Sequence, residues 1–171
     1  GNVTTLYSTP RNDDGMIIDS EPNTPTSIRV DPERNVVVLF EGDGSVHQFD
    51  PRGIMTLLLP PGTINKPSDI ALSSDGSLFV SSMDMGVVFR VALDGSVTPV
   101  AGTQSTLATA TDGVMALESY LGSPVSIDFD ALNRLYIADN TFGSIRVVTT
   151  DGMISTITDN DNRVMDVAQL R

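Results

Sequence analysis

The sequence contains no cysteine, no tryptophan and a single histidine, His47. Without cysteine there is no disulfide framework, no thiolate nucleophile and no cysteine-based zinc site, and one histidine cannot build a three-histidine metal centre. Basic residues are scarce as well: 10 Lys and Arg face 22 Asp and Glu, a formal net charge of −12. The bases are scattered, with no Lys or Arg run, so nucleic acid and anionic membrane surfaces are not expected partners. No apolar run reaches the ~20 residues that a membrane-spanning helix needs. No G-x-S-x-G elbow accompanies His47, and Gly42-Asp43-Gly44 lacks the strand–helix context of a nucleotide fingerprint. Nothing in the composition assigns a compartment.

What the chain does contain is a repeat. Residues 25–59, 67–101 and 124–158 align without a gap. Pro25, Pro67 and Pro124 share a column, as do Ile28, Ile70 and Ile127. Apolar triplets follow at Val36-Val37-Val38, Leu78-Phe79-Val80 and Leu135-Tyr136-Ile137. Two glycine columns complete the pattern, Gly44/Gly86/Gly143 and Gly53/Gly95/Gly152. Each copy reads as four short strands rich in β-branched and aromatic residues, bounded by Gly, Asn, Asp or Pro. In the third copy they are expected at 126–129, 135–138, 144–148 and 153–157, with a single helical turn over 115–121. The connections between copies differ in length: 7–24 and 102–123 are long, 60–66 is short. In repeat proteins such insertions usually lie on one face, often the binding face.

Four-stranded units of this period are the blades of a β-propeller. The stretch SPVSIDFDALNRLYIADNTFGSIRVVTTDG, from Ser123 to Gly152, resembles the NHL-repeat family: a Pro, a strand, a turn, a Tyr-Ile-Ala-Asp strand, a Gly loop and an Ile-Arg strand ending at Asp-Gly. The lead-in AGTQSTLATATDGVMALESYLGSP is similar to the family's spacer. The second copy departs from the pattern with Ser81-Ser82, and the first with Leu39-Phe40-Glu41. The resemblance implies an all-β fold: an NHL-like β-propeller of four-stranded antiparallel blades. It treats 1–171 as one propeller segment, with partial repeats at both ends. Such rings typically close with about six blades, so three full copies imply an incomplete ring. It would be completed by neighbouring sequence in a longer protein or by association of chains.

The acids invite a calcium reading: Asp128, Asp130 and Asn133, or Asp159, Asp161 and Asn162, space oxygen ligands as a hard cation requires. Acids at strand ends and turns serve turn chemistry equally well, and the aligned copies place Arg29 and Ala71 in the Asp128 column. The turn reading is the expectation, with no catalytic residue, cofactor or metal ligand assigned. His47 reads as a half-exposed strand residue, and Arg146 as a packing or ion-pair residue. The candidate interaction residues lie in the loops joining second and third strands: Glu41, Asp43, Met83, Asp84, Met85, Asn140 and Phe142. Equivalent loops share one face of a propeller, where adaptable Met side chains among acids suit protein contact. The alternative for the apolar members is that they fill grooves between blades. The expected function is a non-catalytic interaction or assembly module, partnered by a protein or by the remaining blades. The competing reading is a metal-assisted hydrolase or lyase completed by blades outside this chain.

Overall fold

The structure, a computed structural model, describes residues 24–105 and 109–157. Blade 1 comprises β1 (Pro25–Val30), β2 (Val36–Phe40), β3 (Val46–Phe49) and β4 (Met55–Leu59). Blade 2 comprises β5 (Pro67–Leu72), β6 (Leu78–Ser82), β7 (Val87–Val91) and β8 (Val97–Ala101). A short strand β9 (Val114–Met115) precedes blade 3, built from β10 (Pro124–Phe129), β11 (Leu135–Asp139), β12 (Ser144–Val148) and β13 (Met153–Thr156). Each blade is an antiparallel meander with its strands in chain order. No helix occurs among the described residues.

The repeat columns correspond to structural positions. The prolines open the first strand of every blade, and each is followed at once by a register shift: between Pro25 and Ser27, Pro67 and Asp69, Pro124 and Ser126. A bulge re-aims the side chain that follows it. Gly86, at φ +61°, shows why its column carries glycine. A Cβ there would lie 2.2 Å from the Leu121 carbonyl oxygen, on the segment that leads into blade 3.

Two apolar cores lie between blades rather than within them. Val37, Leu39, Val46 and Leu59 of blade 1 meet Ile70, Val80, Val87 and Phe89 of blade 2. Ala71, Val88 and Ala101 of blade 2 meet Ile127, Ile137, Val148 and Ile154 of blade 3. Each Ile or Val buried in this way contributes roughly 1.5–3 kcal/mol relative to exposure. Strands β1, β5 and β10, the first of each blade, pack side by side and are therefore the innermost.

The four expected strands of the third copy are present, shifted by two residues or fewer at their ends. The expected helical turn at 115–121 is not. Val114 and Met115 instead pair with β13 as a fifth strand, Val114 opposite Ile154 and Met115 opposite Met153, and a turn follows. The apolar pair satisfies a free sheet edge, and that edge outweighs local propensity. The long connection 102–123 thus wraps the outer edge of blade 3 instead of forming only a face loop.

Candidate functional site

The three loops between second and third strands are placed by one repeated contact. The amide that follows each second strand donates to the carbonyl just ahead of each blade's proline: Glu41 to Thr24 at 2.9 Å, Met83 to Lys66 at 3.2 Å, Asn140 to Ser123 at 2.9 Å. Loops 41–45, 83–86 and 140–143 therefore all stand at the start of the innermost strands, on one face. Glu41, Asp43, Met83, Asp84, Asn140 and Phe142 are exposed there, with Met83 at 40% and Phe142 at 42% of their full accessibility. Met85 differs: it is half-buried against the core between blades 1 and 2, so this one methionine fills a groove. Phe142 stands edge-on to Tyr120, with ring centroids 6.0 Å apart.

The loop backbones are hydrogen-bonded even where their side chains are open. Asp43 accepts from the Ser45 amide through its side chain, at 2.9 Å, and from the Gly62 amide through its carbonyl, at 2.9 Å. Glu41 and Asp43 flank a cleft of about 240 Å³ whose far wall is Gly62, Ile64, Asn65 and Lys66. Lys66 pairs with Asp84 at 2.9 Å and ties the connection 60–66 to the loop of blade 2. Behind the third loop, buried Asp139 receives two backbone donors, Gly122 at 2.8 Å and Ser123 at 2.9 Å. Ser82, in the same repeat column, instead donates to the Asn65 carbonyl at 2.5 Å. Both side chains fix the incoming connection, by opposite hydrogen-bond polarity.

A second polar group lies where the three innermost strands meet. Asp69 of β5 is buried and accepts from Ser27 Oγ of β1 at 2.6 Å, and from Ser126 Oγ and the Ile127 amide of β10, each at 2.9 Å. Arg29 of β1 ion-pairs with it at 3.1 Å. One Arg29 nitrogen also reaches the Ile127 carbonyl at 3.4 Å, so a β1 side chain touches β10 directly. The sequence reading did not single out this column, Ser27/Asp69/Ser126. Its signal was a polar residue two places after each repeat proline. The arrangement is a carboxylate saturated by donors from all three blades, suited to fixing blade geometry.

The residues considered for calcium do not converge. Asp130 caps its own turn, accepting from the Leu132 amide at 3.0 Å, the Arg134 amide at 2.9 Å and Arg134 Nε at 2.6 Å. Asn133 Oδ1 instead accepts from the Ser74 amide of blade 2 at 3.0 Å, while Asp128 is buried on β10. Among the described residues no three His, Cys, Asp or Glu side chains come together in a metal-holding group. Asp159, Asp161 and Asn162 lie outside the described residues. His47 is half-buried on β3, with Nε2 3.0 Å from Ser45 Oγ. Burial lowers its pKa, partly opposed by the charge of Asp43. Arg146 is almost fully buried, and one of its nitrogens donates to the Thr111 carbonyl at 3.1 Å, Asp112 at 3.0 Å and Ser119 Oγ at 3.2 Å. Its role is to tie the long connection to blade 3.

No protein-family model matches the chain, and no curated protein matches it by sequence. Solved structures do match. A catalytically inactive virginiamycin B lyase from Staphylococcus aureus with quinupristin is similar at TM-score 0.60 and 16% identity, over 85% of this chain and 44% of that one. A protein of unknown function from Bacteroides thetaiotaomicron is similar at 0.65 and 20%, over 77% of this chain and 35% of that one. The nidogen/laminin complex contains a chain similar at 0.62 and 16%, over 80% of this chain and 49% of that one. This chain spans half or less of the length of each. The likeness is one of fold: the chain is an all-β segment of a β-propeller whose described blades leave the ring incomplete.

Proposed function

We propose that this segment is a non-catalytic module of NHL-repeat type that binds or assembles with protein through the face bearing loops 41–45, 83–86 and 140–143. The observation that carries the reading is the exposure of Met83 and Phe142 on the same face as the acids Glu41, Asp43 and Asp84. Exposed apolar side chains that share a face with carboxylates suit a protein surface with an apolar patch and basic surroundings. A net charge of −12 speaks against nucleic acid. The test is capture of partners by the purified protein, comparing Met83→Asp and Phe142→Asp with Leu132→Asp, an exposed residue of the opposite face. Loss with the first two and retention with the third supports the reading; unchanged capture removes these loops from it.

The second reading, a metal-assisted hydrolase or lyase completed by further blades, draws on the similar folds of a virginiamycin B lyase and a putative gluconolactonase. Elemental analysis of the protein with its full set of blades separates the two readings. Absence of stoichiometric metal ends the second.

A further inference from the structure

The first turns of the blades, after β1, β5 and β10, lie on the face away from the three loops, and the two seams between blades differ there. Between blades 2 and 3 the Ser74 amide donates to Asn133 Oδ1 at 3.0 Å. In the same seam Phe79 and Phe129 meet with ring centroids 4.8 Å apart. The same repeat columns between blades 1 and 2 hold Pro32, which has no amide hydrogen, and Gly76, which has no side chain. Val37 and Leu72 stand in the columns of the two phenylalanines. Neither the clasp nor the aromatic contact has a counterpart, and a cleft of about 530 Å³ lies between blades 1 and 2.

The lining of this cleft combines buried Leu78 and Val91 and half-buried Leu58 with exposed Asp75 and Arg90. A Cβ on Gly76, also in the lining, meets nothing within 4 Å, so the cleft is open on that side. Arg29, Arg52, Lys66, Arg134 and Arg146 each form an ion pair of 3.1 Å or less. Arg90 forms none among the described residues and donates instead to a neutral hydroxyl, Ser77 Oγ, at 2.9 Å. Asp75 accepts from neutral donors, the Ser73 hydroxyl and the Ser77 amide. Ser77 thus holds a guanidinium and a carboxylate near each other without their pairing. An anion in the cleft meets Asp75 and a net charge of −12 as like charges, and a cation meets Arg90 as one. A molecule with one charge of each sign and no net charge complements both groups.

We propose that this cleft binds a small zwitterion with an apolar side chain, the chemical class of the free apolar amino acids, its carboxylate on Arg90 and its ammonium on Asp75. The planar guanidinium suits a carboxylate, to which it can donate two parallel hydrogen bonds. The apolar side chain covers Leu58, Leu78 and Val91. The volume falls within the range of roughly 300–1,000 Å³ that small-molecule sites occupy. The site lies on the face opposite loops 41–45, 83–86 and 140–143 and is independent of the function proposed for them.

The probe is L-phenylalanine, whose ring shifts nearby resonances. Titrated into the full chain and followed by NMR, it gives saturable shifts at the amides of Gly76, Leu78 and Val91, with half-saturation below about 10 mM. Hydrocinnamate, which lacks the ammonium, and phenethylamine, which lacks the carboxylate, each bind at least about tenfold more weakly. Arg90→Gln and Asp75→Asn each weaken phenylalanine about tenfold. Both side chains are exposed, so the remaining amide spectrum is kept. Arg34→Gln, at an exposed arginine in the first turn of blade 1, leaves binding unchanged. Shifts that are absent or fail to saturate overturn the proposal. So do single-charge analogues that bind as tightly as phenylalanine, or binding that survives both substitutions in the cleft.

Discussion

Blades 1 and 3 carry isoleucine at the same repeat position, and the two residues have opposite environments. Ile127 is fully buried, whereas Ile28 is 59% exposed; Ile70 of blade 2 is also fully buried. The column marks a face that the preceding blade covers: blade 2 covers Ile127, and blade 1 covers Ile70. No described blade precedes blade 1. Burial at these positions is therefore a property of stacking, and one blade's sequence encodes only half of each core. This comparison yields the largest expected effect. Ile127→Ala costs about 4 kcal/mol in urea unfolding, within the range for a buried isoleucine truncated to alanine, and Ile28→Ala under about 1 kcal/mol. If a further blade is supplied to this face, the Ile28 value rises toward that of Ile127.

Asp69 extends the comparison to the axis, where blades 1 and 3 are joined through blade 2. Asp69→Ala removes the acceptor shared by Ser27, Ser126, Arg29 and the Ile127 amide, leaving buried donors unpaired. The expected loss is about 3 kcal/mol. Ser126→Ala removes one neutral donor and costs about 1 kcal/mol. Equal losses for the two would show that Asp69 is not the common acceptor.

What the sequence disclosed and what it hid have physical causes. The proline and glycine columns were legible because they recur at fixed repeat positions, and every glycine in the two columns has a positive φ. The shared face of the three loops was legible too, since it follows from strand order. The axial column was not, because Ser27, Asp69 and Ser126 differ in type and act as one group only across blades. The helical turn expected over 115–121 was a misreading because Val114 and Met115 pair with an edge supplied by β13, distant in sequence, and a turn follows them. Met85 was grouped with exposed loop residues because loop position alone does not show which side chain turns into a groove.

The third columns of blades 1 and 3 also diverge. Arg146 is almost fully buried and holds Thr111, Asp112 and Ser119, while His47 is half-buried with Ser45 as its hydrogen-bonded neighbour. Arg146→Ala is expected to cost about 2 kcal/mol, and Arg146→Met less because the apolar volume is kept. Asp112 is half exposed, so a double-mutant cycle with Asp112→Asn returns a coupling of only about 1 kcal/mol. A coupling near zero would assign the loss to packing and to the Thr111 and Ser119 bonds.

The smallest effect separates the first turns of the blades. In blades 1 and 3 the column holds Asp31 and Asp130, which accept from the amides of Asn35 and Arg134 four residues on. Blade 2 has Ser73 there and moves the carboxylate to Asp75, which accepts from Ser73 Oγ at 2.5 Å and the Ser77 amide at 3.1 Å. The Ser73 hydroxyl, then the Ser77 amide and hydroxyl, lower the Asp75 pKa from 3.8 to about 2. A carboxylate depressed in the folded state favours folding above its unfolded value, and that contribution is lost as pH falls from about 4 to about 2. Asp75 is fully solvent-facing, so the effect on stability is slight and weakens with salt, yet its titration is separable by NMR. Ser73→Ala moves the Asp75 midpoint back toward 3.8 while Asp130 keeps its lowered one. A midpoint that stays near 2 in this variant would place the cause in the Ser77 amide, and the turns of the three blades would then differ in sequence but not in mechanism.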